Sequence, residues 1–289
     1  MAGSEHRRRV GRALTVPVAG FRVAAEETAL HPRLTSTAIT VASLLALIAL
    51  WGTAAWGIDT PRTFPAPDRV AAIMWAEAAD GTLLHHLVAT LVRVALAFGI
   101  SMALGVVLGV MLGTMPGLNR WLDPWVVVAL NVPALVVIVM CYLWIGLNET
   151  AAIVAVSFNK TATVIVTVRE GGRALDRPLK EMAQFFGLSR LDRLRHVVIP
   201  QLAPYLSASA RNGLAIIWKL VLVVEFLGRP DGIGFQIHLY FQLFEVPFVM
   251  AYALSFIIVM LGIEYGIMQR IEDRATRWRR AVAGDRTVA

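Results

Sequence analysis

Long apolar runs alternate with short polar ones along this chain. The apolar runs cover about 36–57, 84–113, 124–146, 150–168, 205–227 and 247–269. Each is close to the roughly 20 residues that a helix needs to cross the hydrocarbon layer of a membrane. Strands with open edges are excluded there, because an unpaired backbone group in lipid costs several kcal/mol. The pattern therefore predicts an all-α membrane protein with six transmembrane helices. A polar arm over 1–34, with Arg7, Arg8, Arg9, Arg12, Arg22 and Arg33, precedes a membrane domain over 35–272, and a basic tail over 273–289 follows it. A signal peptide would place its apolar core sooner after a short basic start, so the arm is expected to be cytoplasmic.

Composition narrows this further. Of 289 residues, 57% are hydrophobic and only 16% charged, against about 25% charged in soluble domains. The single cysteine, Cys141, lies in an apolar run and excludes an intrachain disulfide framework. A net charge of +7 would suit nucleic acid, but its distribution argues for membrane topology instead. With the N-terminus inside, 20 of the 27 Lys and Arg residues fall in the inner segments and 3 in the outer ones. The positive-inside rule then puts both termini in the cytoplasm. Trp51, Trp56, Trp121, Trp125 and Trp144 lie near predicted span ends, as interface aromatics should.

Two loops exceed a simple turn. The outer one, 58–83, carries Pro61, Pro65 and Pro67 ahead of a short amphipathic segment. The inner one, 169–203, is long enough to be functional. Within it Pro178 can occupy the first turn of a helix on which Leu179, Met182, Ala183 and Phe186 recur at helical spacing. Gly187 would end that helix through a reversed backbone. Ser189 would cap a second short helix through Leu191, Leu194 and Val198, closed by Pro200. The expected product is a helix–turn–helix with an apolar side and a rim of Lys180, Arg190, Arg193 and Arg195.

The same segment resembles the EAA loop of ABC importer permeases, which reads Glu-Ala-Ala, three residues, Gly, nine residues, then Ile-x-Leu-Pro. Glu181, Ala183, Gly187 and Pro200 keep that spacing, Met182 replaces the first Ala, and Val197 and Ile199 are conservative exchanges. Asn131-Val132-Pro133, Leu143-Trp144-Ile145-Gly146, Phe64-Pro65-Ala66-Pro67, Trp218, Glu225 and Gly232-Ile233-Gly234 are similar to the nitrate, sulfonate and taurine branch of that family. The resemblance covers about residues 45–275. It implies the type I ABC importer permease fold in a bacterial plasma (inner) membrane. A coupling helix with Glu181, Met182, Ala183, Phe186, Gly187, Leu188 and Pro200 would dock on an ATPase subunit dimer that holds ATP and Mg, leaving this chain without a cofactor. A second copy of the permease would complete the pore as a homodimer within membrane lipid. A substrate-binding protein, periplasmic or lipid-anchored, would supply a small solute, an oxyanion such as a sulfonate, nitrate or carboxylate. The competing class is a secondary transporter or channel driven by an ion gradient, and such folds often carry inverted repeats that are not evident here.

Charged residues inside spans cost about 2.5–3.5 kcal/mol on insertion scales and mark wet or paired positions. Arg93 and Glu225 can pair with each other. Lys160 and Lys219 either pair, with Glu225 or Asn159 as partners, or make the pathway favourable to an anion. Asn131 and Pro133 are pathway candidates through a kink at the proline. Ala97, Ser101, Gly105, Gly109 and Gly113 repeat every four residues, so they share a face suited to close helix packing. No catalytic chemistry is expected. Lys160-Thr161 lacks the preceding glycines of a phosphate loop, and adjacent His85 and His86 project differently from a helix, so no metal set forms.

Overall fold

The computed structural model describes residues 32–58 and 60–268. The expected arm and tail fall outside them, except for the arm's last residues, which begin the first helix. Among the described residues every regular element is helical: α1 (Pro32–Ile58), α2 (Pro67–Ala79), α3 (Thr82–Thr114), α4 (Pro116–Asn131), α5 (Ala134–Ile145), α6 (Glu149–Arg173), α7 (Arg177–Phe185), α8 (Arg190–Arg193), α9 (Ile199–Gly228), α10 (Ile233–Gln242) and α11 (Val246–Ile263). The chain divides into two units, up to Ala49 and from Leu50 onward. The first contributes the start of α1, whose apolar side chains over 41–49 are exposed, as on a helix facing hydrocarbon.

The second unit is built around α6, which packs against α3, α9, α5 and α4. The small-residue face of α3 is the closest of these contacts, and it lies within one chain. A Cβ on Gly109 would come within 2.7 Å of Val168 Cβ, and one on Gly113 within 2.9 Å of Gly172 Cα. Ala97 and Ser101 are fully buried on the same face. With no Cβ between them, the two backbones approach directly, which is how small residues promote packing in a membrane.

Among the described residues four segments are long and apolar enough to span: Val41–Ile58, Thr82–Thr114, Glu149–Arg173 and Val246–Gly266. The third expected span differs from a single helix. It is broken between α4 and α5, which meet at 94°. Pro133 is the N-cap of α5 and disfavours helical backbone at Val132, which is extended at φ −72°, ψ 123°. The 16 residues of α4 and 12 of α5 reach only ~24 and ~18 Å, short of the ~30 Å hydrocarbon core, so neither half crosses alone. The fifth expected span, α9, has 30 residues, but its apolar half carries Arg211, Lys219 and Glu225.

A second difference lies at Pro200, expected to close a short helix. Instead α8 runs through a π-turn at Leu194–Val198 directly into α9. A wider turn ahead of a proline relieves the clash between its ring and the carbonyl four residues back. The helix therefore continues.

Candidate functional site

Three places in the second unit hold the residues singled out by sequence. The first is the turn after α6. Asp176 N–H donates to Gln201 Oε1 at 2.9 Å, tying the start of α7 to the first turn of α9. Gly187 takes φ +66°. Leu188 N–H bonds Ala183 O and Gly187 N–H bonds Gln184 O, both at 3.0 Å, which is a Schellman termination. Ser189 Oγ accepts from Asp192 N–H at 3.1 Å and donates to Asp192 Oδ2 at 2.6 Å, capping α8. Ala183 is fully buried beneath α7, whereas Glu181, Leu179, Met182 and Phe186 are exposed. Phe185 is 87% exposed and meets Phe186 edge to face at 5.5 Å. Leu188 is half-buried and Pro200 exposed. The turn is held rigid from below while its apolar side is left open. Sequence reasoning missed Phe185 and the exposure of Leu191, because the periodicity marks an apolar face without saying what covers it. The side chains of Lys180 and Arg190 lie outside the described residues.

At the opposite end of the bundle Arg93 and Glu225 pair. Arg93 is 4% and Glu225 0% exposed, and Nη1 donates to Oε1 at 2.7 Å. Arg93 also grips Glu149 through Nε (2.9 Å) and Nη2 (2.6 Å), Asp231 O at 3.0 Å and the Asp231 carboxylate. Glu149 takes a further bond from Arg229 at 2.6 Å. Glu225 Oε2 accepts from Thr90 Oγ1 and from Gly234 N–H, each at 2.9 Å. Ile233 N–H donates to Thr90 Oγ1 and Gly232 N–H to His86 Nδ1. Gly232 has φ +104°, and the space where its Cβ would lie is filled by the Glu225 carboxylate. The network fastens the ends of α3, α6 and α9 to the start of α10. Thr90, Glu149, Arg229 and Asp231 had not been singled out. Their signal was a set of charges flanking a glycine-rich turn.

Between the two ends lie the lysines, in contrasting surroundings. Lys160 on α6 is 1% exposed, and its Nζ has no hydrogen-bond partner among the described residues. Neither Glu225 nor Asn159 is its partner. Lys219 lies on an exposed stripe of α9 with Ala208, Asn212, Ile216, Val223 and Leu227, spacings that share one helix face. Arg211 pairs with Glu264 at 3.1 Å. Asn131 and Pro133 are both exposed at the break, with Asn131 Nδ2 donating back to Val127 O at 2.7 Å. No group of three or more metal-ligating side chains forms among the described residues.

The arrangement has counterparts. Residues 95–278 match the family of binding-protein-dependent transport system inner membrane components. The aliphatic sulfonates transport permease protein SsuC of Escherichia coli (strain K12) is 34% identical over 190 residues, covering 65% of this chain and 72% of that one. The riboflavin transport system permease protein RibX of Chloroflexus aurantiacus is 31% identical over 216 residues, covering 74% and 80%. Among solved structures, an amino acid ABC transporter superposes with a TM-score of 0.56 at 20% identity, over 70% of this chain and 98% of that one. That likeness shows the fold, the type I ABC importer permease fold.

Proposed function

Since the chain belongs to the family of binding-protein-dependent transport system inner membrane components, the permeases of ABC importers whose ATPase is a separate subunit, we propose that it forms half of a homodimeric pathway for a small oxyanion. Family membership implies an ATPase partner and a substrate-binding protein, but it leaves the solute open, as the riboflavin and sulfonate relatives illustrate. Cations within apolar helices favour the anion. Lys219 and Asn212 share the exposed stripe of α9. A charge within a span belongs against a wet cavity or a partner rather than lipid, so this stripe, with Asn131 and Pro133 at the α4–α5 break, is assigned to the pathway between two copies. Arg93 and Glu225 brace its far end.

The α7 turn is assigned to the cytoplasmic face, where it meets the ATPase through Glu181, Met182, Phe185, Phe186 and the Gly187–Leu188 reversal. The observation that carries this reading is the open aromatic pair on a rigidly capped helix. Large exposed apolar groups on a fixed element mark a docking surface. The substrate-binding protein then meets the opposite end, and the basic arm and tail lie in the cytoplasm.

Co-purification tests the docking. Phe185→Asp with Phe186→Asp should leave the chain folded in the membrane and abolish capture of the ATPase subunit. Undiminished capture would refute the assignment. For the solute, proteoliposomes of the complete transporter should take up ethanesulfonate, nitrate or acetate in an ATP-dependent manner, and uptake of a neutral solute alone would refute the anion reading.

A further inference from the structure

Among the described residues the other charged side chains buried in the helical bundle are paired: Arg93 holds Glu149, Glu225 and Asp231. Lys160 is the exception. Its ammonium is enclosed against α9, where a Cβ added to Gly213 would sit 2.7 Å from Lys160 Cε, 3.5 Å from its Nζ and 3.7 Å from the ring of Phe98 on α3. The facing helix supplies a second polar atom in the same condition: Ser209 Oγ is buried with no hydrogen-bond partner among the described residues. Ser209 lies one turn from Gly213, on the same side of α9. A buried cation without a partner is unfavourable, and an apolar side chain of similar volume would fill the space at lower free energy. Packing alone gives no reason for lysine here.

The geometry points to Lys160 as a gated anion-binding residue, covered by Gly213 in this conformation and uncovered when α9 tilts away from α6 during transport. This rests on the proposed passage of an oxyanion. Asn212 adjoins Gly213 in sequence and is therefore about 100° from it around the helix. Because Asn212 already lies on the exposed stripe, a gap opened on the Gly213 side by tilting α9 away from α6 adjoins the proposed pathway. The ammonium then meets the solute's oxyanion in a charge-assisted hydrogen bond, with the Ser209 hydroxyl as a second donor. The absence of a Cβ at residue 213 lets the helices close over the lysine again after release.

The test uses the chain's single cysteine. In a Cys141→Ala background, Lys160→Cys is assembled with its ATPase and binding protein in proteoliposomes. It is then treated with 2-aminoethyl methanethiosulfonate, which attaches an ammonium to the thiol. The modification rate should be at least tenfold faster during ATP turnover than without nucleotide. Excess ethanesulfonate, nitrate or acetate, whichever is transported, should slow it, and modification should restore uptake lost in the unmodified variant. Equal rates with and without turnover would overturn the gating. Turnover-dependent labelling that no transported anion slows would overturn the binding role alone. Lys160→Met should remain at least as heat-stable as the parent and raise the KM for anion uptake about tenfold, and an unchanged KM would overturn the proposal. A Cys141→Ala protein that carries none of the three anions would instead refute the solute assignment on which the site depends.

Discussion

Replacing Arg93 by leucine isolates the energetics of the network at the far end of the bundle. The substitution leaves Glu225, 0% exposed, as a buried carboxylate with Thr90 and Gly234 as its remaining donors. Removing one partner of a buried pair costs roughly 3–5 kcal/mol, mostly from the charge left behind. Glu149 and Asp231 are more accessible, with side chains 48% and 32% exposed, and their share should be about 0–1 kcal/mol each. Glu225 therefore dominates, which fixes a sign. In the parent, Glu225→Gln weakens a charge-assisted bond and destabilises by about 1–2 kcal/mol. In the Arg93→Leu background the same change removes the stranded charge and should stabilise by about 2 kcal/mol. Equilibrium unfolding by SDS titration in mixed micelles, run as a double-mutant cycle, reads both signs. If Glu225→Gln destabilised both backgrounds equally, the two residues would be uncoupled and the account of the network wrong.

Other perturbations separate packing, turn geometry and pathway. Gly109→Leu drives a side chain into Val168 and the Ile165 carbonyl and should cost about 1–3 kcal/mol in the same titration; a change within about 0.5 kcal/mol would refute the α3–α6 contact. Gly187→Ala places a Cβ at φ +66°, costing about 1 kcal/mol locally, and should lower binding-protein-stimulated ATP hydrolysis while leaving assembly intact. Normal stimulation would remove the turn from the coupling route. Lys219→Met should leave stability unchanged and cut uptake of an anionic solute about tenfold, and uptake at the parent rate would exclude Lys219 from the pathway.

The positions of the long helices were legible in the apolar runs, because lipid imposes length and apolarity together. Gly187 was legible because few residues other than glycine reverse a backbone there. Arg93 and Glu225 could be paired on paper, since two opposite charges in spans at similar depth have few other options. A kink at Pro133 was legible from the proline itself, but the size of the α4–α5 break was not, because the residues on both sides are largely apolar and a broken span reads like a bent one. The π-turn before Pro200 was hidden for a related reason: a proline signals a stop, and only the preceding geometry shows that the chain absorbs it. Lys160 and Lys219 looked alike because α6 and α9 are apolar on most faces. Only the packing separates an enclosed ammonium from an open one.

The unbroken run from Arg190 to Gly228 has a mechanical consequence. Thirty-nine residues at helical rise form a strut about 58 Å long, with the capped turn at its foot and Glu225 in its last turn. Pivoted near its middle, a tilt of about 5° carries each tip roughly 2.5 Å, enough to make or break a hydrogen bond. A push at the foot therefore reaches the Arg93 clasp without a separate hinge, and strain in the clasp returns along the same path.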